Sequence, residues 1–283
     1  MQDTEKVKVA IVYLVAGISS RFGGKVKQLA EVGADGTTII EISMQRAINA
    51  GFDEIVFIVG EKTEKLFKDS FGAEYRGVPV LYAKQNFNIA ERDRPWGTTD
   101  ALITAREVLT SSFVVCNGDD LYGEKPFRAA REFLQSNTAP WECVTIGYEL
   151  GRVMPEQGKI NRGIFEVDEK GYVTHLTEMF DIEKSDLVSR GLTEKNLCSM
   201  TLFGLKEEVI GLLEQKVDEF KENHEGDRKA ECLLPVELSS LLNEGKITLA
   251  CIRTDDKWMG ITNPGDDEEV KKALQEEMGS MIS

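Results

Sequence analysis

Histidine is scarce in this chain and positive charge is in deficit. Only two of the 283 residues are histidines, and 34 lysines and arginines stand against 49 aspartates and glutamates, which gives a formal net charge of -15. Because binding to a nucleic-acid backbone requires a basic surface, nucleic acid is not expected as a partner. Neither His175 nor His224 is one of the motif residues described below, and we expect both to be ordinary surface or interior residues.

Long apolar runs and paired cysteines are also missing. The longest apolar stretch, Val9 to Gly17, is too short to cross a bilayer, and the start MQDTEKVK lacks a cleavable signal. No membrane partner and a cytoplasmic location are therefore expected. The five cysteines stand singly, without C-x-x-C spacing, which argues against a disulfide framework or a zinc site. Each is expected to be a small core residue.

What the chain does contain predicts an α/β fold. β-Branched apolar runs alternate with segments of helical periodicity, which favours βα units, a mainly parallel sheet and one principal domain over residues 1–283. The predicted elements of the first half are buried strands at Val9–Val15, Ile55–Val59 and Phe113–Cys116 and a helix that ends at Gly51. The second portion, residues 141–283, is expected to add a smaller antiparallel part.

The antiparallel part is predicted from short strands separated by turn residues. "NRG" (161–163) and "DEKG" (168–171) are read as turns, and the charged stretch 221–231 as a loop. The strands are predicted at Val144–Tyr148, Ile164–Val167, Tyr172–Leu176, Leu197–Leu205 and Ile247–Ile252, and helices at Val209–Phe220, Leu234–Leu242 and Asp266–Glu277.

The loop after the first strand predicts a phosphate site. It reads LVAGISSRFGGKVKQL (14–29), in which small residues allow close approach of the backbone and cations follow. Arg21 can bind two phosphate oxygens at once and Lys27 supplies a point charge, with Lys25 as the alternative lysine. The small residues are Ala16, Gly17, Ser19 and Ser20. A tight turn with solvated cations is the simpler alternative.

This loop resembles the signature of sugar-phosphate nucleotidyltransferases, L-x-x-G-x-G-[ST]-R followed by lysine. The resemblance implies a Rossmann-like fold with helices on both sheet faces, in which 5–140 bind a nucleotide and 141–283 a sugar phosphate. It also implies that the loop wraps a nucleoside triphosphate. Here Ser19 replaces the second glycine of the signature.

Two later stretches resemble further parts of that family's pattern. "RPWGTTDAL" (94–102) resembles the segment that meets the nucleobase, which implies this role for Gly97, Thr98 and, upstream, Gln85; helix capping by Thr98 or Thr99 is the alternative. "FVVCNGDDLYG" (113–123) resembles a strand that delivers a metal-binding aspartate after a glycine. The residues implied there are Gly118 as a substrate contact, Asp119 as the catalytic Mg²⁺ ligand and Asp120 as an outer neighbour.

The second half carries the rest of the resemblance. Gly163 and Glu178 match positions that contact the sugar. The family often continues with lysine, but Met179 stands here, so a cation for the sugar's phosphate is sought elsewhere, at Lys257. In "DDKWMGITNPGD" (255–266) many relatives have an aspartate where this chain has Gly260, and Asn263 is expected to be the second metal ligand.

The resemblance thus implies an enzyme that couples a nucleoside triphosphate, UTP being favoured, to a sugar 1-phosphate and releases pyrophosphate, with Mg²⁺ as cofactor. Three alternatives stay open: a cytidylyltransferase for phosphocholine or another small phosphate, a nucleotide-sugar-dependent glycosyltransferase, and a non-catalytic nucleotide or sugar-phosphate sensor.

Overall fold

One large sheet forms the centre of the fold. The computed structural model describes residues 7–17, 26–137, 139–155, 158–261 and 265–282. The strands are β1 (Val9–Leu14), β2 (Glu54–Val59), β3 (Glu74–Tyr75), β4 (Val78–Lys84), β5 (Ser112–Asn117), β6 (Asp120–Leu121), β7 (Glu142–Glu149), β8 (Ile160–Val167), β9 (Val173–Ile182), β10 (Leu197–Leu205), β11 (Thr248–Arg253) and β12 (Met259–Gly260). The short β6 and β12 pair with each other outside the large sheet.

Helices occupy both faces of this sheet. They are α1 (Ile39–Ala50), α2 (Glu61–Phe71), α3 (Thr98–Ile103), α4 (Glu124–Ser136), α5 (Leu150–Val153), α6 (Val209–Asn223), α7 (Leu234–Asn243) and α8 (Asp266–Ile282). Val9, Ile11 and Tyr13 of β1 pack with α1, α2 and α4, whereas Ala10 and Val12 pack with α3, α6 and α7. Because successive side chains of a strand point to opposite faces, β1 is buried on both sides, as its continuous apolar run predicts.

The sheet is parallel at its centre and mixed toward one side. Strands β5, β1, β2 and β4 lie side by side in that order and run parallel. Strand β10 is antiparallel to β5, β7 and β8, and β8 pairs antiparallel with β9. The predicted α/β class, with a mainly parallel sheet and a smaller antiparallel part, is confirmed.

The order of the parallel strands creates a crevice at one edge of the sheet. From β1 the chain moves outward through β2 and β4 and then returns to place β5 on the other side of β1. In open α/β sheets such a reversal leaves a crevice at the carboxyl ends of the strands. The loops after β1 and β5, which carry Lys27 and Asp119, therefore start next to each other.

Local sequence explains why α1 begins and ends where it does. The Thr38 side chain accepts a hydrogen bond from the Glu41 backbone N–H at 3.4 Å, and Glu41 accepts one from the Thr38 N–H at 2.9 Å. This reciprocal pair is a capping box. The helix ends at Gly51, whose φ of 92° lies in the left-handed region that glycine tolerates best.

Of the two turns predicted in the second half, one is correct and one is wrong. "DEKG" does form the turn between β8 and β9, but "NRG" lies inside β8. The Asn161 side chain accepts a hydrogen bond from the Asp181 N–H at 2.9 Å, beside a break in the ladder between Ile160 and Arg162. The Asn161 side-chain amide therefore bonds across an irregular point in the β8–β9 pair and does not form a turn.

The charged stretch 221–231 also differs from expectation. Lys221 to Asn223 complete α6, and backbone carbonyls of Asp227 and Ala230 accept hydrogen bonds from the buried guanidinium of Arg92. That guanidinium lies 3.3 Å from the Trp96 ring centroid. The segment is therefore bonded to residues that lead into α3, because its carbonyls satisfy a buried cation.

All five cysteines are buried and none is in a disulfide, which confirms the expectation that they are core residues. Among the helices described, none combines the length and apolarity that a membrane span requires.

Candidate active site

A first cavity opens at the carboxyl edge of the parallel strands. Its volume is about 350 Å³. Its wall combines the loops after β1, β4 and β5 with the start of α3 and the segment before α7. The described lining residues are Leu14, Ala16, Gly17, Lys27, Gln28, Gln85, Pro95, Gly97, Thr98, Ala101, Asn117, Asp119 and Glu231.

Two glycines let the loop after β1 approach its neighbours closely. A Cβ on Gly60 would lie 2.7 Å from the Ala16 carbonyl oxygen, and one on Gly118 would lie 2.4 Å from Val15 Cγ1. Any side chain at these positions would overlap atoms of the loop. Gly118 therefore has a packing reason to be glycine, in addition to the substrate contact that the sequence predicts.

Gln85 lies buried at the back of the first cavity. Its Nε2 donates hydrogen bonds to the Gly97 carbonyl at 3.1 Å and to Asp100 Oδ2 at 2.9 Å. Asp100 is in turn paired with Lys221 at 2.7 Å. Because these partners accept only, they orient the amide and leave its oxygen, an acceptor, as the atom that can meet a ligand.

The start of α3 is held against the segment before α7. Gly97 is the N-cap residue with a φ of 104°, and a Cβ there would lie 2.5 Å from the Cys232 carbonyl oxygen. The Thr98 hydroxyl accepts a hydrogen bond from the Leu234 N–H at 2.9 Å. Thr98 thus links two helices instead of capping its own, and Gly97 permits the close approach.

A second cavity adjoins the first. It has a volume of about 140 Å³ and lies between the β8–β9 hairpin, β10 and the short β6–β12 pair. Its described lining residues are Asn117, Asp119, Asp120, Asn161, Arg162, Gly163, Glu178, Ser199, Met200, Thr201, Pro235 and Trp258. Asn117 and Asp119 line both cavities, so a ligand in one can meet a ligand in the other at these residues.

Two adjacent carboxylates dominate the charge of this shared wall. Burial raises the pKa of Asp119, and the charge of Lys27 opposes that rise. Burial, with the neighbouring charge of Asp119, raises the pKa of Asp120 to about 7. Asn117 Nδ2 and the Tyr122 hydroxyl donate to Asp120 Oδ2 at 2.9 and 3.1 Å, which favours its ionised form. The site therefore holds negative charge that a cation would stabilise.

Lys27 connects the loop after β1 to the end of the β12 segment. Its Nζ donates a hydrogen bond to the Ile261 carbonyl at 2.9 Å, and the Ile261 N–H donates to the Asp119 carbonyl at 3.0 Å. Lys27 and Asp119 both line the first cavity. The lysine thus brings positive charge to the cavity end where the two carboxylates lie.

Gly260 lies where no side chain fits. A Cβ there would be 2.3 Å from Asp120 Oδ1 and 2.5 Å from Trp258 Cζ2. Gly260 pairs with Asp120 in the β6–β12 ladder. The aspartate that the resemblance leads one to expect at this position would not fit here, because the Asp120 carboxylate and the Trp258 ring already fill the space.

Gly163 and Glu178 face each other across the β8–β9 ladder. They are direct partners in the register, and a Cβ on Gly163 would lie 2.8 Å from Leu176 Cδ1 and 3.2 Å from Glu178 Oε2. Burial raises the pKa of Glu178, while the charge of Arg162 lowers it. The missing side chain at residue 163 keeps the second cavity open beside the Glu178 carboxylate.

Comparison with known proteins identifies the family of this chain. The family model described as nucleotidyl transferase matches residues 23–277. The chain belongs to the nucleotidyl transferase family. This confirms the resemblance seen in the sequence, and the matched region contains the described lining residues of both cavities except Leu14, Ala16 and Gly17.

Individual relatives extend this comparison. The UTP–glucose-1-phosphate uridylyltransferase AglF of Haloferax volcanii is 30% identical over 115 residues, which are 39% of this chain and 43% of that relative. The match thus spans less than half the length of this curated nucleotidyl transferase relative.

Solved structures share the fold. The inositol-1-phosphate CTP transferase from T. maritima superposes with a TM-score of 0.66 at 16% identity, covering 96% of this chain and 97% of that one. A UDP-glucose pyrophosphorylase complexed with UDP-glucose superposes with a TM-score of 0.66 at 16% identity, covering 96% and 99%.

Most residues predicted for the nucleotidyl transferase site come together. Ala16, Gly17, Lys27, Gln85, Gly97, Thr98 and Asp119 line the first cavity, and Asp119, Gly163 and Glu178 line the second. Lys257 is exposed and lines neither cavity. Ser19, Ser20, Arg21 and Asn263, together with the alternative Lys25, lie outside the described residues.

Several lining residues were not predicted from the sequence. Gln28 and Asn117 stand directly beside predicted residues, and Trp258 lies in the closing motif. Arg162 is part of "NRG", and it was not predicted as a site residue because that segment was interpreted as a turn. A cation next to a glycine matched to the sugar contact is the signal that could have identified Arg162.

Proposed function

We propose that this chain transfers a nucleotidyl group from a nucleoside triphosphate to a sugar 1-phosphate and releases pyrophosphate. The observation that carries the proposal is the pair of cavities that share Asn117 and Asp119 at the carboxyl edge of the sheet. The first cavity would hold the triphosphate and the second the sugar phosphate. Their reacting phosphates would then meet at the shared wall.

The reaction needs positioning and neutralisation of charge more than proton transfer. An oxygen of the sugar phosphate attacks the α-phosphorus, the bond between that phosphorus and the bridging oxygen to the β-phosphorus breaks, and pyrophosphate leaves with the electron pair. The second pKa of a phosphate monoester is about 6, so the attacking oxygen is largely ionised at neutral pH. No general base is therefore required, in agreement with the low histidine content.

Lys27 would stabilise the charge of the triphosphate. A fixed ammonium aimed at a transferring phosphate stabilises charge that develops in the transition state. Lys27 lines the first cavity next to Asp119, and its bond to the Ile261 carbonyl holds it at that end. Arg21, from the same loop, is proposed as the second cation on the sequence pattern alone.

Magnesium is the proposed cofactor, and the residues present fit it. Mg²⁺ prefers oxygen ligands and is often held by one or two carboxylates together with substrate phosphates. Among the described residues no group of three or more histidine, cysteine, aspartate or glutamate side chains is arranged to hold a metal. Asp119, with Asp120 beside it and Asn263 as the proposed further ligand, would hold the ion, which would supply charge neutralisation and orientation of the phosphates.

Gln85 is the proposed contact to the nucleobase. Its oriented amide oxygen can accept from the imino N–H of uracil or thymine and equally from the amino group of cytosine. UTP is favoured on the sequence resemblance and on the activity in the name of the Haloferax volcanii relative. The T. maritima neighbour named as a CTP transferase makes CTP the principal competitor.

Pyrophosphate release, measured for four triphosphates against a panel of acceptors, tests this proposal. The panel contains several sugar 1-phosphates, inositol 1-phosphate and phosphocholine. We expect release only with matched pairs and only with a divalent cation present. Release with phosphocholine alone would change the acceptor class. Transfer from a ready-made nucleotide sugar would indicate a glycosyltransferase, and tight binding without turnover would indicate a sensor.

A further inference from the structure

The second cavity has an unusual balance of charge for a site proposed to bind a phosphate. Three carboxylates line it, those of Asp119, Asp120 and Glu178. Arg162 is the only cation among its described lining residues. A phosphate that enters this cavity is repelled by the carboxylates unless a fixed cation faces it. The lining therefore points to one side chain for that task.

Not all N–H donors of Arg162 are hydrogen-bonded within the described residues. Of its five N–H donors, Nη1 bonds to the Asn161 carbonyl at 2.8 Å, and the buried Nε has no hydrogen-bond partner among the described residues. Within the described chain Arg162 forms no ion pair. Its guanidinium carbon lies 5.5 Å from the Trp258 ring centroid. The guanidinium therefore keeps N–H donors that a ligand oxygen could pair.

Arg162 lines the second cavity together with the carboxylates of both its ends, Asp120 at the shared wall and Glu178 at the proposed sugar end. Across the β8–β9 ladder it pairs directly with Met179. Paired residues of antiparallel strands lie on one face of the sheet. Arg162 thus places a cation on the strand opposite residue 179, which itself carries no charge.

We propose that Arg162 binds the phosphate of the acceptor and thereby selects phosphorylated over neutral sugars. This proposal rests on the proposed function, since it takes the second cavity as the acceptor site. The planar guanidinium can bind two phosphate oxygens at once, a geometry that lysine cannot reproduce.

Three variants test the proposal: Arg162→Gln, Arg162→Lys and Lys257→Gln. With the best substrate pair, Arg162→Gln is expected to raise the acceptor KM by roughly 30-fold while the triphosphate KM changes less than about 2-fold. Arg162→Lys should recover part of the loss. Arg106→Gln, a surface arginine paired with Glu214, is the matched control. The assignment would be overturned if Arg162→Gln left the acceptor KM unchanged, or if the rise in that KM occurred in Lys257→Gln and not in Arg162→Gln.

A binding measurement separates this proposal from the proposed function. Calorimetry compares the sugar 1-phosphate with the corresponding neutral sugar, so it requires no turnover. The unmodified protein should bind the phosphate form more tightly, and Arg162→Gln should lose that preference while binding of the triphosphate stays. If the unmodified protein releases no pyrophosphate with any pair, but Arg162→Gln still abolishes the preference for the phosphate form, the proposed function fails and the role of Arg162 stands. If turnover is normal and the preference is unaffected by Arg162→Gln, only the role of Arg162 fails.

Discussion

The Asp120 carboxylate fills the space beside Gly260. A Cβ at residue 260 would lie 2.3 Å from Asp120 Oδ1, closer than any relaxed contact allows. The two residues pair in the β6–β12 ladder, which fixes the separation of their backbones. The carboxylate beside the β6–β12 pair therefore belongs to Asp120 of β6, and β12 leaves room for it because residue 260 is a glycine.

Gly260→Ala is expected to destabilise the protein by about 1–3 kcal/mol, because overpacking forces neighbouring atoms apart. Gly211 in α6 is the matched control, since a Cβ there meets nothing within 4 Å. Gly211→Ala should stabilise by about 0.5–1 kcal/mol, as alanine restricts the unfolded chain. Equilibrium unfolding in urea measures both. Equal midpoints for the two variants would contradict the packing around Gly260.

Lys27→Ala should lower kcat/KM for the triphosphate by well over tenfold, because a charge-assisted contact to a transferring phosphate is lost. The acceptor KM should change little. Lys65→Ala, which removes an exposed lysine on α2, is the control. Thermal unfolding shows whether loss of the bond to Ile261 also weakens the fold. Activity near that of the control, with the fold intact, would rule out a phosphate role for Lys27.

Asp119→Asn should shift the Mg²⁺ dependence of turnover to higher concentrations by at least about tenfold, since a neutral amide is a weaker ligand than a carboxylate. Binding of Mn²⁺ in the presence of the triphosphate, followed by electron paramagnetic resonance, gives a readout independent of rate. Asp69→Asn on the surface of α2 is the control. An unchanged Mn²⁺ affinity would remove Asp119 from the metal site.

Gln85→Ala should raise the triphosphate KM by roughly tenfold and flatten the preference among bases, because the proposed hydrogen bond to the base is worth about 1–2 kcal/mol. Gln275→Ala, an exposed glutamine on α8, controls for unspecific effects. The measurement is the ratio of kcat/KM for UTP, CTP and dTTP. A preference that persists unchanged in Gln85→Ala would show that another group selects the base.

Elements with a strong apolar pattern were the ones that the sequence could predict. β1 and β5 are continuous buried runs, and their predicted bounds are correct to within one residue. For α1 the sequence predicts only the end, at Gly51, and the structure has that end. The patterns do not predict α2, because lysines and glutamates dominate its sequence and only a narrow face is buried. β4 also escapes prediction, since Pro79 interrupts its apolar pattern.

The first cavity was more predictable than the second for a physical reason. Its residues follow strand ends, and parallel strands bring their carboxyl ends to one edge. Arg162 reaches the second cavity through the register of β8 with β9 and β10, and the irregularity between Ile160 and Arg162 in that ladder affects which side chains face inward. Such a register depends on contacts between distant segments, and local sequence does not encode it.

The β8–β9 hairpin is joined to the central sheet by the pairing of β8 with β10. It carries Arg162, Gly163 and Glu178, while Lys27, Gln85 and Gly97 stand on loops of the parallel strands. The proposed contacts to the two substrates therefore lie on separate segments of the chain. We expect a hairpin graft that keeps the pairing with β10 to exchange the proposed acceptor specificity and to leave the proposed nucleotide specificity in place.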